Sequence, residues 1–269
     1  MIKTICCFVF IFIIAINITA TPYEDNLVLY LSFESEQNGT INDLSNYGND
    51  AVNNGATLVN DGKSGNAYSF DYANSLTVAD SSSLNIVTNS VTISGWFQPY
   101  LNVSDMASTY PILLMKRPWY EGGYCAHFIK SKGNIIMQYC WDNGSANTQT
   151  TTSFQQNVWY HYTGILDGNQ LRVYINGNLE SSVTVSAQMG SSAGYDLTIG
   201  GNFTGKIDEI AVWDRALNLT EVQNVYNNGV DEVSFLGVTG TPIPEPLSLW
   251  AILTGICLLL FNRKCLKYK

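Results

Sequence analysis

Residues 197–226 read LTIGGNFTGKIDEIAVWDRALNLTEVQNVY, and this stretch decides the fold. Leu197 and Ile199 flank Thr198 in an alternating pattern that predicts a short strand, ended by Gly200-Gly201. A second strand is predicted over Gly205–Trp213, with Ile207, Ile210 and Val212 as its apolar positions. The chain then passes Asp214-Arg215 into one short helix. Asn218 is a good N-cap, and Glu221 three residues later can reach back to it as in a capping box. Leu217 and Val222 fall where a hydrophobic staple places its two apolar residues. Strand, acidic turn, strand and capped helix make a closing unit for a chain that is otherwise strand-rich.

Upstream of that unit the pattern is of period two. Leu27 to Phe33 (LVLYLSF) suits a sheet interior, and Asn66 to Tyr72 with Ser75 to Val78 reads as a strand pair. Val91 to Gln98 alternates, with Val91, Ile93 and Gly95 on one face and Trp96 on the other. Ile112 to Lys116, Tyr124 to Lys130 and Asn134 to Tyr139 form a meander. Asn157 to Leu166 and Gln170 to Ile175 are joined at Asp167-Gly168-Asn169, and Asn176-Gly177 turns the chain into Leu179 to Val185. Strands spaced by turns in this way predict an all-β fold: one two-sheet antiparallel β-sandwich with a single short C-terminal helix. No linker or composition break interrupts residues 27–235, so 21–236 reads as one domain and 237–243 as a tether.

The ends of the 269-residue chain read as addresses. Residues 1–20 carry Lys3, an apolar run from Ile5 to Ile16, and Ala20 before Thr21-Pro22, the pattern of a secretory signal peptide. An N-terminal membrane anchor is the competing reading, for which the apolar run is short. At the other end Pro244-Glu245-Pro246 precedes an apolar segment, 247–261, and then Arg263, Lys264, Lys267 and Lys269. That order resembles the PEP-CTERM sorting signal of Gram-negative bacteria. The resemblance implies a membrane-spanning segment, recognition by an exosortase, and delivery to the cell surface or extracellular matrix. An ordinary single-span anchor is the alternative.

Charge excludes one class of partner. The chain has 13 Lys+Arg against 22 Asp+Glu, a net of −9. Five of the basic residues and one of the acids lie outside 21–243, which leaves 8 against 21 and a net of −13 for the body. A nucleic-acid partner needs a basic footprint that this body lacks. Of six cysteines, only Cys125 and Cys140 fall in the body. They flank a hairpin whose expected turn, Ser131 to Asn134, would set them directly opposite each other, so a disulfide is expected in an oxidising compartment.

Six segments together resemble a laminin-G-like, or concanavalin A-like, jelly roll. They are LYLSFE (29–34), DLSNYGNDAV (43–52), GKSGNAYSFDYANSLTV (62–78), VTISGWF (91–97), NVWYHYTGILDGNQLRVYINGNLESS (157–182) and the closing unit. The resemblance implies a structural Ca²⁺ between the loop after the first strand and the last core strand. The matching positions are Asp43, with Asn49 or nearby carbonyls, and Asp208, with Glu34 as a further candidate; solvated turn acids, Asp43 among them in an Asx-turn, are the alternative.

The same fold hosts glycoside hydrolases, which need two carboxylates about 5–9.5 Å apart across the sugar bond. Laminarinase-like members place acids on one strand as Glu-x-Asp-x-(x)-Glu; here that strand reads Lys206-Ile207-Asp208-Glu209-Ile210-Ala211, with lysine and alanine at the outer positions. Alternation also predicts that Asp208 and Glu209 point to opposite faces. His127 and His161 lie inside predicted strands without a nucleophile-elbow context. A non-catalytic module that recognises glycan or matrix polysaccharide is therefore expected, with a hydrolase and a structural matrix protein as alternatives. Sugar sites combine aromatic faces with amides and acids. The loops that offer both include Tyr110-Pro111 and the run from Arg117 to Glu121, and they single out Trp119, Tyr120, Glu121, Trp141, Asp142 and Asn143. Trp96, Trp159 and Trp213 are expected in the core.

Overall fold

The structure is a computed structural model that describes residues 26–117 and 121–228. The expected signal peptide, tether, sorting signal and membrane segment lie outside the described residues, as do Trp119 and Tyr120. In chain order the first strands are β1 Leu27–Leu31, β2 Thr40–Ile41, β3 Ala51–Asn54, β4 Thr57–Val59, β5 Ala67–Phe70 and β6 Ser75–Val78. Then come β7 Ser90–Pro99, β8 Ile112–Lys116, β9 Gly123–Ile129, β10 Asn134–Trp141 and β11 Gly144–Gln149. The last are β12 Tyr160–Asp167, β13 Gln170–Ile175, β14 Asn178–Thr184, β15 Leu197–Ile199 and β16 Gly205–Trp213, followed by helix α1 Leu219–Asn228.

These strands form two eight-stranded antiparallel sheets. The first runs β14-β13-β12-β7-β16-β5-β4, with β1 also paired to β16; the second runs β11-β10-β9-β8-β15-β6-β3-β2. β16 is the hub of the first sheet. One edge pairs with β7, and the other is divided, with β5 on Gly205 to Ile207 and β1 on Ile210 to Trp213. Between the two partners the ladder breaks in a β-bulge from Asp208 to Ala211, where Glu209 takes a φ of +53°.

The main core fills the space between the sheets, with Ile207, Ile210 and Val212 of β16 facing Leu114, Phe128, Met137 and Tyr139 of the second sheet's strands. A second apolar cluster lies on the outer side of the first sheet, where Val222 and Val225 of α1 cover Leu27, Tyr30, Ile165, Tyr174 and Trp213. That cover explains why every residue of β1 is buried: one face meets the core, the other the helix. The helix starts as expected, for Glu221 N donates to Asn218 Oδ1 at 3.1 Å and Asn218 N donates to Glu221 Oε2 at 2.7 Å. Trp213 is buried in this second cluster and Trp96 packs on the same side against His161 and Tyr226, while Trp159 is half-buried ahead of β12.

One expected register does not occur. Ile129 pairs with Asn134, so the β9–β10 turn is Lys130 to Gly133, one residue earlier than the sequence suggests. Gly133, at a φ of +71°, closes the turn by donating its N–H to Ile129 O, and the Asn134 side chain is drawn into the sheet by Thr150 O. Cys125 therefore faces Gln138 and Cys140 faces Gly123, and the expected disulfide does not join them.

Candidate functional site

Alternation along β9 and β10 sends Tyr124, Ala126, Phe128, Ile135, Met137 and Tyr139 into the core. Cys125, His127, Ile129, Ile136, Gln138 and Cys140 are thereby left on the outer face of the second sheet. A cavity of about 220 Å³ opens there, lined by Tyr110, Arg117, His127, Ile129, Ile136, Gln138 and Asn147. Arg117 reaches it because β8 ends in two cations on opposite sides. Lys116, fully buried, turns to Asp80 and to the Tyr195 carbonyl. Arg117 turns outward, only 7% exposed, and its guanidinium donates to Cys125 Sγ at 3.0 Å, Cys140 Sγ at 3.3 Å and Gln138 Oε1 at 3.1 Å. Gly123 shapes this corner: at a φ of +83°, a Cβ there would stand 2.0 Å from Lys116 O.

Electrostatically the cavity carries one fixed positive charge. Burial, with a smaller push from Arg117, lowers His127 to a pKa of about 4, so its imidazole is neutral at pH 7. Its Nδ1 lies 3.4 Å from Cys125 Sγ, and the Tyr110 ring meets it edge-on at 5.5 Å. Burial pushes the Cys125 thiol up to about 12, which keeps it protonated beside the guanidinium. The cavity thus offers a guanidinium, two amides, a phenol and a neutral imidazole around two isoleucines.

Among the described residues, none of those expected to bind ligand lines this cavity; Glu121 and Trp141 meet instead at the segment around Gly190. The segment at Gly190 joins them: Gly190 N donates to Cys140 O at 2.9 Å, and Gly123 N donates to Gly190 O at 3.0 Å. Glu121 is exposed and accepts from Tyr195 Oη at 3.0 Å. Trp141 is half-buried against Tyr139, with ring centroids 5.5 Å apart, and folds over Gly144. Asp142 and Asn143 form the exposed β10–β11 turn, where Asn143 takes a φ of +63°. His127, Gln138 and Asn147 are missing from the sequence-based set. Their signal was strand parity, since polar residues at 125, 127, 138 and 140 share one face.

The four residues expected to hold calcium fall into two groups. Asp43 accepts from Tyr30 N at 2.8 Å and Ser45 N at 2.9 Å through Oδ1, and from Ser45 Oγ at 2.6 Å and Asn49 N at 2.8 Å through Oδ2. Asn49 donates to Val28 O at 2.6 Å, so this pair staples its loop along β1. Glu34 and Asp208 meet elsewhere, over the loop 62–66. Asp208 Oδ2 accepts from Lys63 N at 2.8 Å and Ser64 N at 3.0 Å, and Asn66 N donates to Glu34 Oε1 at 3.3 Å. Asp208 is fully buried; that burial, helped by the Glu34 charge, raises its pKa to about 8. Among the described residues no three His, Cys, Asp or Glu side chains are grouped to hold a metal. Both carboxylates accept there from backbone N–H groups of the same loop, those of Lys63, Ser64 and Asn66.

The bulge also corrects the expected parity of the adjacent acids. Asp208 lies opposite Trp96 in the ladder, and Glu209 accepts from Tyr30 Oη at 2.7 Å beneath the α1 cluster. Both side chains therefore lie on the outer side of the first sheet. Neither opens on a cleft, since Asp208 is 0% and Glu209 3% exposed.

A family model described as the concanavalin A-like lectin/glucanases superfamily matches residues 70–223. The chain belongs to that superfamily. No curated protein sequence matches the chain. Among solved structures of the superfamily's fold, the chain is similar to the binding domain of Paraclostridial Mosquitocidal Protein 1, at 21% identity and a TM-score of 0.63, over 76% of this chain and 52% of that one. It is similar to domain 4 of a GH43 extracellular arabinanase from Geobacillus stearothermophilus, in complex with arabinotriose, at 20% identity and a TM-score of 0.59, over 75% and 98%. It is also similar to the botulinum neurotoxin serotype D ligand binding domain in complex with N-acetylneuraminic acid, at 14% identity and a TM-score of 0.60, over 76% and 51%. The chain thus spans about half the length of the toxin domains and nearly all of the arabinanase domain.

Proposed function

We propose that this protein is a non-catalytic glycan-binding module whose ligand sits on the outer face of the second sheet, in the Arg117 cavity. The observation that carries the reading is the lining of that cavity. Ile129, Ile136 and Tyr110 offer surface to the C–H faces of a sugar ring, while Gln138, Asn147 and Arg117 offer partners to its hydroxyls. Glu121, Asp142 and Asn143 are exposed beyond the ends of β9 and β10, whereas Trp141 alternates to the core side of β10 with Tyr139. Two similar folds were solved with sugars bound, which supports the class of ligand.

Calcium belongs to the reading as a structural ion. Glu34 and Asp208 would hold it, and its charge would neutralise the Asp208 carboxylate that burial otherwise drives toward protonation. The two terminal segments support export and surface retention, with an exosortase acting on residues 244–269. The binding reading is tested on a glycan array with wild type and the double variant Gln138→Ala/Asn147→Ala. Retention should fall about tenfold in the variant, the worth of one or two hydrogen bonds, read at a temperature where circular dichroism shows both proteins folded. Equal retention by both proteins rejects the cavity as the site. Turnover of any glycan on the panel overturns the non-catalytic part.

A further inference from the structure

In an acidic protein the positions of the cations are informative. Lys116, Arg172, Lys206 and Arg215 each form an ion pair with a carboxylate. Lys63 lies over the Trp96 ring, 4.3 Å from its centroid. The other three described cations, Arg117, Lys130 and Lys132, all line cavities along the β9–β10 hairpin. Arg117 lines the cavity of the outer face, and both lysines line a second one at the hairpin turn, about 340 Å³, whose wall includes Asn102, Ser104 and Ser153.

The two cavities are linked across one face. Lys132 Nζ donates to Gln149 Oε1 at 2.9 Å, and Gln149 stands two residues along β11 from Asn147, on the same side as that residue of the Arg117 cavity. Acids flanking this end are engaged by neighbours: Asp105 accepts from Asn102 Nδ2 at 2.7 Å, and Glu180 accepts from the Thr152 hydroxyl at 2.6 Å. Arg117, Lys130 and Lys132 thus follow one hairpin through an otherwise acidic body, with Asp105 and Glu180 flanking its turn. From Cys125, beside Arg117, to Lys130 is five residues of strand, roughly 17 Å.

We propose that the ligand is an anionic polysaccharide carrying repeated carboxylates, a polyuronate, laid along the β9–β10 hairpin. One carboxylate meets the Arg117 guanidinium, and a later one meets Lys130 and Lys132. The inference rests on the glycan-binding reading above and names the class of glycan. Neutral polymers fill the cavity but leave the lysines without a counter-charge. The net-acidic body disfavours a polyanion elsewhere, so charge contributes to the orientation of the chain as well as its retention.

The test uses polygalacturonate, alginate and hyaluronan, each beside its carboxyl-reduced neutral form, in affinity electrophoresis of the whole protein. At least one polyuronate should bind, about tenfold or more tighter than its reduced form, as expected for charge-assisted hydrogen bonds. The double variant Lys130→Glu/Lys132→Glu should lose about tenfold or more of that affinity, and salt near 0.5 M should weaken it in wild type by screening. These lysines lie at a turn, so the variant avoids the buried Arg117. Preference for neutral forms, or an unchanged affinity in the double variant, overturns the polyuronate inference and leaves glycan binding standing. Failure to retain any glycan, charged or neutral, overturns both.

Discussion

His161 shows what a single buried side chain does to the whole pH response. Its Nε2 lies 2.9 Å from Ser94 Oγ, its Nδ1 has no hydrogen-bond partner among the described residues, and Trp96 covers one side of the ring. Burial, with the Lys63 charge as a smaller push, lowers its pKa to about 3. The unfolded chain binds that proton near pH 6.5, so the stability tied to the neutral ring is full above about pH 6.5. It is lost as pH falls toward 3. Urea midpoints measured from pH 7.5 to 5 for wild type and His161→Gln isolate this group: the wild type should lose stability faster by up to about 1.4 kcal/mol per pH unit. Parallel slopes would mean that the ring is charged in the fold. The sequence places His161 in a strand and predicts packing, which the structure bears out. It does not reveal His127 as part of a cavity, because strand parity alone cannot tell a solvated face from a concave one.

At the scale of elements, legibility follows how local the signal is. The α1 cap is written in Asn218 and Glu221, three residues apart, and forms as expected. Asn218→Ala should cost about 1 kcal/mol for the lost cap, and Val222→Ala about 2 kcal/mol or more for the buried methyl groups. Chemical denaturation of the two variants measures both; no loss from Val222→Ala would detach the helix from the sheet. The β9–β10 turn was legible only to within one residue. A Ser-Lys-Gly-Asn run leaves two registers open, and the choice falls to Gly133 and to Asn134, whose partner Thr150 lies sixteen residues away. That single-residue shift separates Cys125 from Cys140 and gives both sulfurs to Arg117. Strand β11 (GSANTQ) escapes notice in the sequence for a related reason: it has no apolar alternation, and its register comes from pairing with β10. The bulge at Asp208 is likewise set by tertiary pairing, where β5 gives way to β1 along one edge.

For the whole molecule, the sandwich was readable because its strands alternate and its turns are marked by glycine and asparagine. The site was less so, since its residues come from β9, β10, β11 and the segments on either side of β8 and share no motif. The ion proposed at Glu34 and Asp208 would tie the β1 end and loop 62–66 to β16, so it bears on the stability of the entire domain. Millimolar Ca²⁺ should raise the melting temperature of EDTA-treated protein by several degrees, the linkage expected near a hundredfold excess over Kd. Asp208→Asn should abolish that rise, and a wild-type melting temperature indifferent to both Ca²⁺ and EDTA would remove the ion. The divided edge of β16 has one more consequence. β1, β5 and β7 are all complete long before the strand that they share, with Leu27 waiting for Trp213. A chain emerging from a ribosome or an export channel therefore holds three unpaired strand edges until its last tenth of core sequence arrives. The protein closes late and all at once, and during that wait its protection against aggregation must come from outside the fold.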